Sequence, residues 1–313
     1  MSALKRIAIS VGDLNGVGFE ILLKAHDQIK RLCTPLYCIN YTMSHQAALL
    51  LKKQIPNDFH MFKVSGEFTI TAGEVSASSG KYSFDSFKSA VDLARSKAVD
   101  AIVTLPIHKE AWMMAGIQYK GHTDALRDIF NQEAIMMLGC EKMYVALFTE
   151  HIPLRDVMSH INTDELTDFM LRFYESMKVK NIAVLGLNPH AGDNGVLGDE
   201  EREIEKAIAR VNEQLGEKIF IGPLVPDVAF TPRVREHFTH YIAMYHDQGL
   251  APLKALYFDE GINVSLGLPI IRTSVDHGTA FDIAYQNKAS TLSYINAIKA
   301  AVSFTMEEPT NVN

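Results

Sequence analysis

Two hydrophobic rhythms alternate along the chain. RIAISVG, LYCIN, DAIVTLP, KMYVALFT, NIAVLGL and YIAMYHD are short, nearly unbroken apolar runs. GFEILLKAHDQIKRL, SHQAALLLKK, HKEAWMMAG and the stretches Asp164 to Met177 and Gly198 to Leu215 instead repeat apolar residues every three or four positions. Unbroken runs predict strands covered on both faces, and the longer period predicts amphipathic helices lying over them. Their alternation predicts an α/β fold. Polar motifs stand where the strands run out (GDLNG, TLPIHKE, LNPHAGD, YHDQG), which in open α/β sheets is where ligands bind. One cleft built from several loops is therefore expected. No internal repeat or low-complexity linker separates two domains, and the tail EEPTNVN reads as disordered.

Composition narrows the class. With 313 residues, 47% of them hydrophobic, the chain can form about two domains around substantial cores. A net charge of -7 and the lack of any Lys/Arg run argue against a nucleic-acid partner. Cys33, Cys38 and Cys140 are odd in number and lack a CxxC spacing, which suits reduced thiols in the cytoplasm. No signal-peptide core or run of transmembrane length is visible, so a soluble cytoplasmic protein without a membrane partner is expected.

Three histidines mark the candidate chemistry. His151 in HIPLRD, His190 in LNPHAGD and His246 in YHDQG each follow a predicted strand, too far apart for a local finger. Neutral imidazoles suit a divalent ion, and three ligands leave positions open for substrate. Lys254 and Arg272 lie in apolar segments (APLKALYF, LPIIRTSV), where an unpaired charge is costly, so they read as a phosphate or carboxylate clamp with Asn263 as an amide donor. In KGHTDAL, His122 and Thr123 either meet an oxyanion or, for Thr123, cap a helix. Asp227 and Asp247 are either proton acceptors or outer partners that orient a histidine. Gly12, Gly16 and Gly18 form a strand-to-helix turn that is neither GxGxxG nor a P-loop; Asp13 and Glu20 decide whether it touches a ligand.

In this order, GDLNGVGFE, TLPIHKEAW, GHTDAL, HIPLRDV, GLNPHAGDNGVLGDEE, YHDQGLAPLK and LGLPIIRTSVDHGTAFDIA closely resemble the 4-hydroxythreonine-4-phosphate dehydrogenase family. The resemblance implies a two-lobed α/β/α sandwich like isocitrate and isopropylmalate dehydrogenases, with the active-site cleft between the lobes. Residues 1–121 completed by 265–313 would form the cofactor lobe, and 122–264 the metal and substrate lobe. It further implies one divalent ion (zinc, magnesium or cobalt) on His151, His190 and His246. Substrate contacts are implied at His122, Thr123, Lys254, Asn263 and Arg272, with Asp247, Asp227 and Lys254 as catalytic groups. DHGTAFDIA resembles a nicotinamide loop, pointing to His277, Gly278 and Asp282 for NAD or NADP. A homodimer with shared sites is implied, for which the apolar segments 140–148 and 262–271 either supply an interface or are core strands.

The implied reaction is oxidation of 4-phosphooxy-L-threonine at C3, followed by decarboxylation, in pyridoxal 5'-phosphate biosynthesis. The alternatives are a paralogue acting on threonate or erythronate 4-phosphate and a non-redox metallohydrolase or phosphometabolite-binding protein. The chain departs from the family pattern at Leu14 and Phe19, where proline is usual, at His108, where asparagine is usual, and in the stretch after His190.

Overall fold

The computed structural model describes residues 3–306; the polar tail lies outside them. In chain order the strands are β1 (Arg6–Ser10), β2 (Thr34–Cys38), β3 (Met61–Phe62), β4 (Ala101–Thr104), β5 (Ile135–Cys140), β6 (Met143–Leu147), β7 (Ile182–Leu185), β8 (Phe220–Leu224), β9 (His240–Ala243), β10 (Ile262–Leu266) and β11 (Arg272–Val275). The fold is mixed α/β, and the chain divides into two compact units. One holds the described residues up to Gln132, Ile262–Val264 and those from Leu268 on; the other holds Glu133–Gly261 and Ser265–Gly267.

In the first unit β3, β2, β1, β4 and β11 lie side by side in that order, and every one of these pairings is parallel. The chain steps outward from β1 to β2 and β3, then returns to place β4 on the other flank of β1. That reversal makes the carboxyl ends of β1 and β4 a switch point, where the outgoing loops diverge and leave a crevice. GDLNG follows β1 and LPIHKE follows β4, so the topology puts both motifs at that crevice.

The second unit orders its strands β5, β6, β9, β7, β8; β5 and β6 form an antiparallel pair and the rest are parallel. Insertion of β9 between β6 and β7 has a direct consequence for the histidines. His151 follows β6, His246 follows β9 and His190 follows β7, so three segments far apart in sequence leave three adjacent strands at one edge. Neighbouring strands are only about 5 Å apart.

The strands quoted from the apolar runs are all present, as are the helices Gly18–Ile29, Tyr41–Leu50, Lys109–Met114, Thr163–Met177 and Glu201–Leu215. Two structural differences matter. His246–Tyr257 is a helix, a span not among the helical repeats of the sequence; Gly249 and Pro252 lie inside it. Gly249 is required there by packing, since a Cβ would sit 2.4 Å from Val145 Cγ1 on β6. Ala77–Arg95 is also helical; the first half of its buried face carries Ser79, Ser83 and Ser86, and only the second half, Phe87, Ala90, Val91 and Ala94, repeats apolar residues at helical spacing. Of the two segments offered as an interface, β6 is an interior strand buried throughout, and β10 is buried but for the half-covered Asn263. Both are core.

Candidate active site

In the first unit four segments pack together at the carboxyl ends of β1 and β4. Val17 donates its N–H to Thr279 O (3.0 Å), the Tyr285 hydroxyl donates to Leu14 O (2.6 Å), Gly73 N–H donates to Asn15 O (2.8 Å), and His108 stacks on Phe281 at 4.9 Å. The loop after β1 is thereby fastened to the segment carrying His277, Gly278 and Asp282. Gly16 is needed for this approach, because a Cβ would lie 2.6 Å from Thr279 O. Leu14 and Phe19, the departures from proline, are fully buried and serve as core side chains.

Asp13 and Glu20 turn out to be internal. Asp13 accepts from Asn15 N (2.9 Å) and Ser79 Oγ (3.1 Å); burial raises its carboxyl above the usual range, and these two hydrogen bonds oppose the rise. Glu20 accepts from Lys24 Nζ and from the N–H groups of Asn287 and Ala289, holding the chain after the nicotinamide-like segment against the first helix. His277 and Asp282 are exposed, with His277 Nδ1 2.9 Å from Gly278 O and Asp282 O accepting from Gln286.

Arg272 opens β11 and is buried. Its Nε and Nη2 both donate to Thr104 Oγ1 (3.2 and 2.8 Å), and Nη1 donates to Asn263 Oδ1 (3.4 Å). Burial pushes the guanidinium down to about 9, which still leaves it cationic at neutral pH. His122 is also buried, edge-on to Phe87 (4.9 Å) and Trp112 (5.5 Å), and its Nε2 has no hydrogen-bond partner among the described residues. Burial, assisted by the Arg272 charge, holds its pKa well below the ordinary histidine value. A neutral imidazole beside a buried cation is a strong anion-recognition pair, because the imidazole adds a hydrogen bond without a second charge to desolvate. The helix His122–Phe130 takes Gly121 as its N-cap, so Thr123 sits inside the first turn rather than capping it. The structure thus gathers His122, Arg272 and Asn263 in one unit, and adds Thr104, which sequence reasoning passed over.

In the second unit the rings of His151 and His246 lie 5.4 Å apart. Asp247 Oδ1 is 2.7 Å from His246 Nδ1, a contact of the kind by which a carboxylate orients an imidazole. His190 is exposed on the turn Pro189–Gly195, where residues 190 to 194 all have positive φ. That loop is pinned from beneath. Glu201 Oε1 accepts the N–H groups of Leu187 (2.9 Å) and Asn188 (2.7 Å), its Oε2 accepts from Asn188 Nδ2 (2.9 Å), and Gln248 donates to Gly186 O (2.6 Å) while accepting from Met244 N. Neither Glu201 nor Gln248 was singled out from the sequence.

Asp227 is exposed on the short helix Pro226–Ala229, which lies against the His190 turn. Lys254 is half-buried on the helix His246–Tyr257, its ammonium 5.7 Å from the Phe258 ring centre. Among the described residues no three His, Cys, Asp or Glu side chains stand close enough together to hold a metal ion. Two of the three histidines meet; the third leaves the adjacent strand.

The family profile described as "Pyridoxal phosphate biosynthetic protein PdxA" matches residues 25–301. The chain is 64% identical over 298 residues to a 4-hydroxythreonine-4-phosphate dehydrogenase of Sulfurimonas denitrificans, covering 95% of this chain and 97% of that one. It is 56% identical over 301 residues to the Campylobacter fetus subsp. fetus protein of the same name, with 96% and 98% covered. A crystal structure of a 4-hydroxythreonine-4-phosphate dehydrogenase from Burkholderia phymatum superposes with a TM-score of 0.81 at 32% identity, covering 97% of this chain and 99% of that one.

Proposed function

The chain belongs to the PdxA family of 4-hydroxythreonine-4-phosphate dehydrogenases, and from that premise we propose how its residues divide the labour of the reaction. The enzyme is an oxidoreductase of pyridoxal 5'-phosphate biosynthesis that uses a nicotinamide cofactor. In our reading the substrate is 4-phosphooxy-L-threonine, oxidised at C3 with NAD or NADP as hydride acceptor; the resulting 2-amino-3-oxo acid then loses carbon dioxide to give 3-amino-2-oxopropyl phosphate.

The observation that carries the reading is the buried pair of Arg272 and neutral His122. Arg272, supported by Asn263, faces the phosphate with a cation whose burial strengthens its attraction for an anion. His122 and Thr123 add hydrogen bonds to the same group, and Lys254 adds a second positive charge. His277, Gly278 and Asp282 contact the nicotinamide cofactor, on the segment fastened to the β1 loop by Thr279 and Tyr285.

The donor chemistry of His151, His190 and His246 suits one divalent ion (zinc, magnesium or cobalt), and the strand order supports the choice by sending all three from one edge. Such an ion, when bound, supplies Lewis-acid polarisation of the substrate's oxygen. Asp247 orients His246, and Asp227, on the helix against the His190 turn, is the acceptor for the hydroxyl proton.

The chain acts in the cytoplasm as a homodimer with shared sites. Support for the dimer comes from exposed apolar side chains beside the metal and phosphate residues: Ile152, Leu154 and Met158 after His151, Val196 and Leu197 after His190, and Phe258 after Lys254. Among the described residues no helix is long and apolar enough to cross a membrane.

The deciding experiment is NADH and NADPH formation over a panel of 4-hydroxythreonine, threonate and erythronate 4-phosphates. The expected outcome is the highest kcat/KM on 4-phosphooxy-L-threonine; a higher value on threonate 4-phosphate would overturn the substrate assignment.

A further inference from the structure

The TLPIHKE motif has one residue that none of the roles above employs. Thr104 is the last residue of β4, an interior strand flanked by β1 and β11. Arg272 lies opposite Ile102 and Ser274 opposite Thr104 in the parallel register of β4 and β11. Residues two apart on a strand share a face, so Thr104 stands one diagonal step from Arg272 on the same side of the sheet. The guanidinium uses that step. Nε and Nη2, which form one edge of the planar group, converge on the single oxygen Thr104 Oγ1 at 3.2 and 2.8 Å.

Two donors on one acceptor restrain both the position and the tilt of the guanidinium plane. Thr104 is itself fully buried, so its oxygen has no water to serve in place of the arginine. Asn263 Oδ1, 3.4 Å from Nη1, is the longer of these contacts.

We infer that Thr104 is a positioning residue for substrate recognition: its hydroxyl oxygen fixes the guanidinium plane of Arg272, and through it the orientation in which the phosphate end of the substrate is received. This rests on the reading of Arg272 as a phosphate ligand. A bidentate hydrogen-bonded ion pair is more sensitive to the angle of the guanidinium than to its charge, so loss of the threonine oxygen weakens phosphate binding although the cation remains.

The test compares Thr104→Val, Thr104→Ser and Arg272→Ala in the full-length enzyme. For Thr104→Val, KM for the phosphorylated substrate rises about tenfold with a smaller loss of kcat, and the inhibition constant for inorganic phosphate rises in parallel. Thr104→Ser, which keeps the oxygen, stays within about threefold of the parent in both. Thr104→Ala removes the oxygen without adding bulk and carries the same expectation as valine, so misfolding of the valine variant leaves the comparison intact.

If the valine and alanine variants keep the parental KM and phosphate inhibition while Arg272→Ala loses both, the inference is wrong and the arginine reading stands. If Arg272→Ala also keeps the parental preference for phosphorylated over dephosphorylated substrate, the arginine reading itself fails. A serine variant as impaired as valine also overturns the inference, since it assigns the effect to methyl packing.

Discussion

Two histidines show how burial sets protonation residue by residue. His122 is held well below its ordinary value by burial, and burial takes His240, stacked on Tyr144 at 5.3 Å, down to about 4. In the unfolded chain both titrate at about 6.5. The unfolded state therefore binds protons that the folded state refuses, so stability is fully present above about pH 6.5 and is lost as pH falls toward about 4. For His240 alone the loss at pH 5.5 is about 1.4 kcal/mol. Urea midpoints measured at pH 7.5, 6.5 and 5.5 should fall in that order, and a flat series would contradict the protonation states. The candidate histidines were legible at this scale because a polar motif at the end of an apolar run is conspicuous. Thr104 and Glu201 were not: a threonine closing a strand and a glutamate opening a helix are common, and only the folded arrangement shows that one bears Arg272 and the other the His190 loop.

That loop is the element whose order depends most visibly on one side chain. Glu201, opening the helix Glu201–Leu215, satisfies two backbone N–H groups and the Asn188 amide, and Gly192 lacks the Cβ that would come within 2.7 Å of its Oε2. Glu201→Gln keeps the volume but turns one of two acceptor atoms into a donor facing donors, at a cost of about 1 to 3 kcal/mol to local order. Hydrogen exchange of the amides from Leu187 to Gly198 should quicken in that variant while β6 and β9 remain protected; unchanged exchange would show that the turn holds itself. Elements with a hydrophobic rhythm were readable from the sequence, and those that bury polar atoms were not. The helix Ala77–Arg95 covers its neighbours with serines, Ser86 donating to Cys38 O and Ser83 accepting from Trp112 Nε1. The helix after His246 is masked by its own Gly249 and Pro252. Packing and hydrogen bonding override local pattern at both places.

For the whole molecule, the topology of each unit explains why the motifs converge: the switch point between β1 and β4 in one, and the insertion of β9 between β6 and β7 in the other. The α/β class was readable from alternation alone, whereas strand order was not, because it depends on pairings between segments distant in sequence. The interface expectation shows the same limit. Apolar runs in a sequence are core strands far more readily than contact surfaces, and the exposed apolar residues lie instead among polar loops. Leu154→Asp combined with Met158→Asp should shift sedimentation from dimer to monomer and remove activity while leaving the circular dichroism spectrum intact; a fully active monomer would end the dimer reading.

All three cysteines are buried, and burial pushes the thiols of Cys33 and Cys38 up to about 12 and that of Cys140 in the same direction. Thiolate is the reactive form, so the folded chain is nearly inert toward maleimides and iodoacetamide at neutral pH. Labelling experiments can therefore begin from the unaltered sequence. A cysteine introduced at the exposed Asp199, beside the Glu201-pinned turn, would be the one thiol that reacts, and a fluorophore there would report the loop's motion in solution without a cysteine-free background.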